Sequence, residues 1–184
     1  MPVALTSLWL PILLSAIAVF VASSLVWMVL QYHNSDWRPL PDEEAARRVL
    51  KAVPRGEYVV PYAANNKARQ SEEWQKKFKE GPMLMMTVYP SGTMAMGKQL
   101  SQWFVYCLVI SLLVAYVGSR TLAPGTPYLH VFQVLGTVAI LAYGGSAASG
   151  AIWFGHGWGR TAKDIIDGVI YGLITAGMFG WLWP

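Results

Sequence analysis

Apolar and polar positions along this chain fall into long blocks rather than an even mixture. From Leu8 to Leu30 the sequence reads LWLPILLSAIAVFVASSLVWMVL, without one charged side chain. Further apolar blocks run from Leu100 to Val117, from Pro127 to at least Tyr143, and from Ile165 to Trp183. A helix crosses the hydrocarbon core of a bilayer with about 20 mostly apolar residues, so each block predicts a transmembrane helix. The first block lacks a Lys or Arg before Arg38 and exceeds the length of a signal-peptide core, so it reads as a retained helix. Pro11 near its start sits where a missing N–H costs least.

The interval between the first two blocks is patterned differently. PDEEAARRVLKA predicts a short helix, with Asp42, Glu43 and Glu44 in the first turn and Arg47, Arg48 and Lys51 later, matching the helix dipole. EYVVPY predicts a strand that Pro61 confines to an edge or an end. SEEWQKKFKE predicts a second helix capped by Ser71 and stopped at Gly81-Pro82, and MLMMTVY a second strand. The second helix is placed to connect the two paired strands. The fold class predicted is thus an all-α membrane protein: four transmembrane helices in a bundle, with a small α+β lobe inserted between helices 1 and 2. The divisions are 1–31 for helix 1, 32–99 for the lobe and 100–184 for helices 2–4.

Charge sharpens this layout. Of the 24 charged side chains, 19 lie between Asp36 and Lys98. The segment 31–99 holds eleven Lys and Arg, the turn before Pro127 holds only Arg120, and the elbow before the fourth block holds Arg160 and Lys163. With four spans this sets thirteen basic residues against one, which predicts residues 32–99 in the cytoplasm and both termini outside. Basic and acidic residues alternate in the lobe, so no nucleic-acid-binding stripe is formed. The single cysteine, Cys107, excludes an internal disulfide and a cysteine metal site. Trp27, Tyr32, Trp37, Trp103, Trp153, Trp158, Trp181 and Trp183 mark the interfacial belts.

Helix faces supply the candidate contact residues. Gly168, Gly172, Ala176 and Gly180 repeat every four residues along the fourth block, a stripe that admits a close neighbouring backbone. Ser111, Ala115 and Gly118 form a looser version on the second. His130, Gln133 and Thr137 share one face of the third block, and Asp167, Tyr171 and Thr175 extend along the fourth; together they define a candidate polar path, with interhelical hydrogen bonding as the plainer role. In the elbow WFGHGWGRTAKDIIDG, three glycines break the helix, Thr161 and Asp164 resemble a capping box, and Lys163 is spaced to pair with Asp167. Met83, Met85, Met94 and Met96 have spacings that suit copper(I), although methionine more often fills irregular cores. His33 and His156 share an interface where haem or zinc ligation is conceivable. No catalytic motif accompanies them, and the reading adopted is a protein that is not an enzyme and needs no cofactor.

The opening MPVALTSLWLPILLSAIAVFVASSLVWMVLQYHNSD, the EYVVPY strand, TLAPGTPYLHVFQVLGT and the terminal DGVIYGLITAGMFGWLWP together resemble a family of small bacterial four-helix integral membrane proteins. The resemblance spans the whole chain. It implies a multi-pass protein of the bacterial cytoplasmic membrane and carries no activity and no site residues. The expected role is an accessory or scaffolding subunit of a larger membrane complex, or a homo-oligomer packed through the small-residue faces, with the lipid bilayer as surroundings. The alternatives are a small oligomeric channel or transporter using the polar path, and a metal- or haem-binding membrane protein.

Overall fold

A computed structural model describes residues 3–92 and 96–184. The protein is mostly helical, with one two-stranded sheet. Its chain forms two compact units, one of residues 1–38 and 95–184, the other of residues 39–94. Residues 32–38, assigned to the lobe by sequence, fold with the helices instead.

In the larger unit, a 3-10 turn at Leu5–Leu8 leads into α1 (Trp9–Ser24), which continues as a π-helical stretch, Leu25–Leu30. Gln31 then takes the left-handed conformation (φ 51°) and a 3-10 turn, Tyr32–Asp36, reverses the chain. In the smaller unit, α2 (Glu43–Leu50) is capped by Asp42, whose carboxylate accepts from the Ala45 N–H at 2.8 Å. It is followed by β1 (Gly56–Val60), α3 (Asn66–Arg69), α4 (Glu72–Glu80) and β2 (Leu84–Val88). Ser71 caps α4 as its sequence position predicts. The strands pair antiparallel, from Gly56 opposite Val88 to Val60 opposite Leu84. The connection therefore returns the chain beside β1 in the opposite direction. It contains two helices rather than one, and the Trp74 indole donates to the Pro61 carbonyl at 3.2 Å to hold α4 at the strand exit.

The remaining helices of the larger unit are α5 (Met96–Thr121), α6 (Tyr128–Gly144), α7 (Ala147–Phe154) and α8 (Trp158–Trp181). Packing closes a ring: α1 lies against α5 and α8, and α6 against α5 and α8. Three helical segments among the described residues are long and apolar enough to cross a membrane: Leu5–Leu30, Met96–Thr121 and Tyr128–Phe154. The expected fourth span, α8, is a 24-residue helix but is not among them, since its first turns carry Arg160, Lys163, Asp164 and Asp167.

The distribution of side chains is that of a protein solvated by lipid. Ile17 and Val21 on α1, Leu25 on the π-helical stretch, Val109 and Leu113 on α5, and Leu141 on α6 face outward. Inside the ring, Leu8, Val114, Val131, Leu135 and Phe179 form one core, and Ala16, Val19, Cys107 and Tyr171 another. Ser15, Ser111, Ser119 and Thr175 are buried among them. An apolar exterior around a polar-flecked interior inverts the pattern of a water-soluble bundle, because hydrocarbon penalises outward polar groups and leaves apolar ones without a reason to hide.

The α6–α8 contact explains the small-residue stripe. A Cβ on Gly168 would lie 2.5 Å from the Cα of Gly144, one on Gly172 2.8 Å from the Ile140 backbone nitrogen, and one on Gly136 2.9 Å from the Ala176 Cβ. Each step of four up α8 matches a step of four down α6, so the stripe is spent within the chain. Gly180 continues it against the Tyr128 ring. On α5, Ser111 and Ala115 are buried, and a Cβ at Gly118 would meet the Trp183 ring at 2.9 Å.

Candidate functional site

The reversal after α1 builds the site. With the chain turned at Gln31, the Tyr32–Asp36 turn lies against the first turns of α8. His33 is 3% exposed, and its two ring nitrogens face two different carboxylates. Nδ1 lies 2.7 Å from Asp36 Oδ2, and Nε2 lies 3.1 Å from Asp167 Oδ2. The Trp27 indole, carried by the π-helical stretch, stacks parallel on the imidazole with centroids 4.1 Å apart. The Tyr32 hydroxyl donates to Asp167 Oδ1, and the Tyr171 hydroxyl approaches Oδ2 at 3.5 Å.

Lys163 closes the cluster from α8. Its ammonium donates to the Tyr32 carbonyl at 2.9 Å, the Ser35 hydroxyl at 2.7 Å and Asp36 Oδ1 at 2.6 Å. An ammonium has three donors, and all three are used. The expected partner Asp167, four residues on, is displaced by Asp36 because the sequence-distant turn sits closer to the lysine than the next helical turn does.

Proton counting gives this geometry its chemistry. A neutral imidazole carries one N–H, so it fills only one of two nitrogen-to-carboxylate hydrogen bonds. Filling both requires one further proton, on the ring or on a carboxylate. The line Asp36–His33–Asp167 is therefore a relay with room for a mobile proton, the arrangement from which buried acid–base sites are made.

The Lys163 ammonium beside Asp36 holds its carboxyl below the ordinary value of 3.8, with His33 adding to the effect and burial opposing it. A depressed carboxyl contributes stability above its unfolded value and loses it as the pH falls through the lower folded value. The melting temperature of the detergent-solubilised protein is accordingly expected to exceed that of Asp36→Asn at neutral pH. The gap should close as the pH drops below about 4. A gap unchanged into stronger acid would show that the Asp36 charge adds nothing to the tie.

A cavity of about 520 Å³ adjoins the cluster, within the larger unit. Trp27, Trp103, Tyr143 and Tyr171 stand in its walls, with Asp164 and Asp167. The Trp103 indole is fixed by donating to the Ser23 hydroxyl at 2.8 Å, and its ring meets Tyr171 edge-on. The Tyr143 hydroxyl is buried without a hydrogen-bond partner among the described residues.

Several predicted site residues are placed differently. Asp167, Tyr171 and Thr175 are buried, but His130, Gln133 and Thr137 lie on the exposed face of α6, so the two halves of the expected polar path do not meet. The capping box does not form: α8 begins at Trp158 with Gly157 as its N-cap, because Gly155 (φ 70°) ends α7 early enough for Thr161 to lie inside the helix. His156 is exposed and packs beside Gly150, whereas His33 is turned inward with both nitrogens engaged, so His33 is not free to ligate a metal as placed. Met83, Met85 and Met96 are exposed, and Met94 lies outside the described residues. Among the described residues no group of three or more His, Cys, Asp or Glu side chains is arranged to hold a metal ion.

Sequence reasoning singled out Asp167 and Tyr171 but missed Tyr32, Asp36 and the pairing of Lys163. A usable signal was YHNSD, which sets a histidine and an aspartate one helical turn apart just beyond an apolar run. Fold and site together define a membrane-embedded helical protein with a buried carboxylate–imidazole relay beside an aromatic-walled pocket. Comparison with protein-family models, curated proteins and solved structures finds no match to this chain.

Proposed function

We propose that this chain is a four-span protein of the bacterial cytoplasmic membrane that binds a small molecule in its aromatic-walled pocket and couples that binding to a proton on the Asp167–His33–Asp36 relay. It is a small carrier rather than an enzyme. The observation that carries the reading is the double position of Asp167, which is at once a wall of the pocket and one end of the relay. A buried ionisable group at such a place is costly and defaults to function.

Support for the fourth crossing comes from α8, whose outward Ile166, Ile170 and Leu173 are exposed and apolar while its acids turn inward or lie at its start. The ratio of thirteen basic residues to one supports a cytoplasmic lobe and a relay at the cytoplasmic end. The basic lobe then lies on the side where anionic lipid headgroups attract it.

Difference infrared spectra of purified protein, taken between about pH 8 and about pH 5, test the relay. The wild type is expected to show carboxyl and imidazole protonation bands, and Asp167→Asn to lose the carboxyl band and diminish the imidazole band. Identical spectra for the two proteins would reduce the cluster to a structural clasp.

A scaffolding or self-associating role has separate support on α6. The amide of Gln133 lies on the exposed helix face it shares with His130 and Thr137, where lipid offers it no partner. A second copy of the chain covering this face would satisfy it. Gln133→Leu is then expected to shift the native mass spectrum in gentle detergent from oligomer to monomer, and an unshifted spectrum removes this face as the contact.

A further inference from the structure

The charges around the pocket do not balance without a guest. Three carboxylates, Asp36, Asp164 and Asp167, stand with two permanent cations, Arg160 and Lys163. Lys163 is committed to Asp36 at 2.6 Å, and Arg160 lies 3.8 Å from Asp164 while covering the Trp37 ring. The remaining carboxylate, Asp167, faces only hydroxyls and the His33 ring. One positive charge is therefore missing whenever His33 is neutral. Two species supply it: a proton on the relay, or a cation in the pocket.

The lining of the pocket selects the kind of cation. Four aromatic side chains, Trp27, Trp103, Tyr143 and Tyr171, and two acids line it, and no Lys or Arg does. Aromatic faces attract a positive charge with apolar substituents, most strongly where water is excluded. A hard metal ion is a poor fit, since it needs six or more oxygen ligands and these walls are largely carbon. An anion meets two carboxylates. The cavity of about 520 Å³ is of the size that holds a small organic molecule.

From this we infer that the pocket binds a monovalent organic cation, a quaternary or protonated amine with an apolar body, in exchange for the proton of the Asp167–His33–Asp36 relay. The inference rests on the relay reading above and adds its substrate class. The exchange is balanced: one cation enters, one proton leaves to solvent, no covalent bond between heavy atoms changes, and the charge of the site is the same before and after. Tyr32, Tyr171 and Lys163 face the relay from the turn and from α8, and Trp27 covers it from the π-helical stretch.

The test uses the purified full chain in detergent and isothermal titration calorimetry with benzyltrimethylammonium. Its uncharged carbon isostere, neopentylbenzene, serves as control. Titrations in two buffers of different ionisation enthalpy count the protons released. The cation is expected to bind at least about tenfold more tightly than the isostere, in keeping with a desolvated cation–aromatic contact. Release of about one proton per cation is expected at any pH where the infrared bands show the proton on the relay. Asp167→Asn should abolish the release and weaken binding at least about tenfold. Asp164→Asn, outside the relay, should weaken binding while leaving the release intact, which keeps the test decisive if Asp167→Asn fails to fold. Equal binding of the isostere, or cation binding without proton release, overturns the inference. No cation binding by protein whose infrared bands still respond to pH overturns the inference alone and leaves the relay standing. Loss of both the bands and the binding removes relay and inference together.

Discussion

Replacing His33 with alanine is expected to lower the melting temperature of the detergent-solubilised protein by on the order of 5–10 °C and to erase the pH response of the relay. The imidazole is 3% exposed and sits between two carboxylates. Its removal leaves Asp167 with hydroxyl donors only and Asp36 with Lys163 alone, and it deprives the Trp27 ring of its stacking partner. A buried charge stripped of its partner costs more than the intact pair contributes. His33→Gln, which retains hydrogen-bonding capacity without the second proton site, should recover much of the stability and none of the pH response. Differential scanning fluorimetry together with the infrared titration separates the two effects. If His33→Ala melted with the wild type, the cluster would have no structural weight.

The second large effect is expected at Gly172. A leucine there would drive its Cβ to 2.8 Å from the Ile140 backbone nitrogen, and backbone does not swing aside as a side-chain tip does. Overpacking a well-filled interior costs about 1–3 kcal/mol where side chains can shift. A clash with helix backbone lies at or beyond the top of that range, so Gly172→Leu should fail to accumulate as folded protein. Gly177, one turn further and off the stripe, has nothing nearer to its virtual Cβ than the Tyr128 hydroxyl at 3.8 Å. Gly177→Ala should therefore fold normally. Yield and elution profile from gentle detergent report both. A Gly172→Leu protein that eluted and melted as wild type would contradict the α6–α8 register.

These two positions also show what the chain discloses unaided. The stripe of Gly168, Gly172, Ala176 and Gly180 was legible because helical period and residue size are local properties. Which helix it faces was not, since Gly136, Ile140 and Gly144 carry no mark that names α8 as their neighbour. Capping at Ser71 was legible for the same reason: the donor and acceptor are three residues apart. The relay is the opposite case. His33 meets Asp167 across 134 residues and Lys163 meets Asp36 across 127, so no window along the sequence contains both partners. His130, Gln133 and Thr137 illustrate the converse: helical period put them on one face correctly, but could not tell an inward face from an outward one.

The Lys163 clasp has a consequence for biosynthesis. Its three hydrogen bonds all reach back to Tyr32, Ser35 and Asp36, which leave the ribosome far ahead of α8. While the middle helices are being made, the turn after α1 holds His33 and Asp36 paired only with each other, without Asp167 and Lys163. Only α8 supplies Lys163 and Asp167, so the hydrogen bonds of this turn are completed last. A chain halted before that helix is therefore expected to keep Asp36 without its ammonium partner.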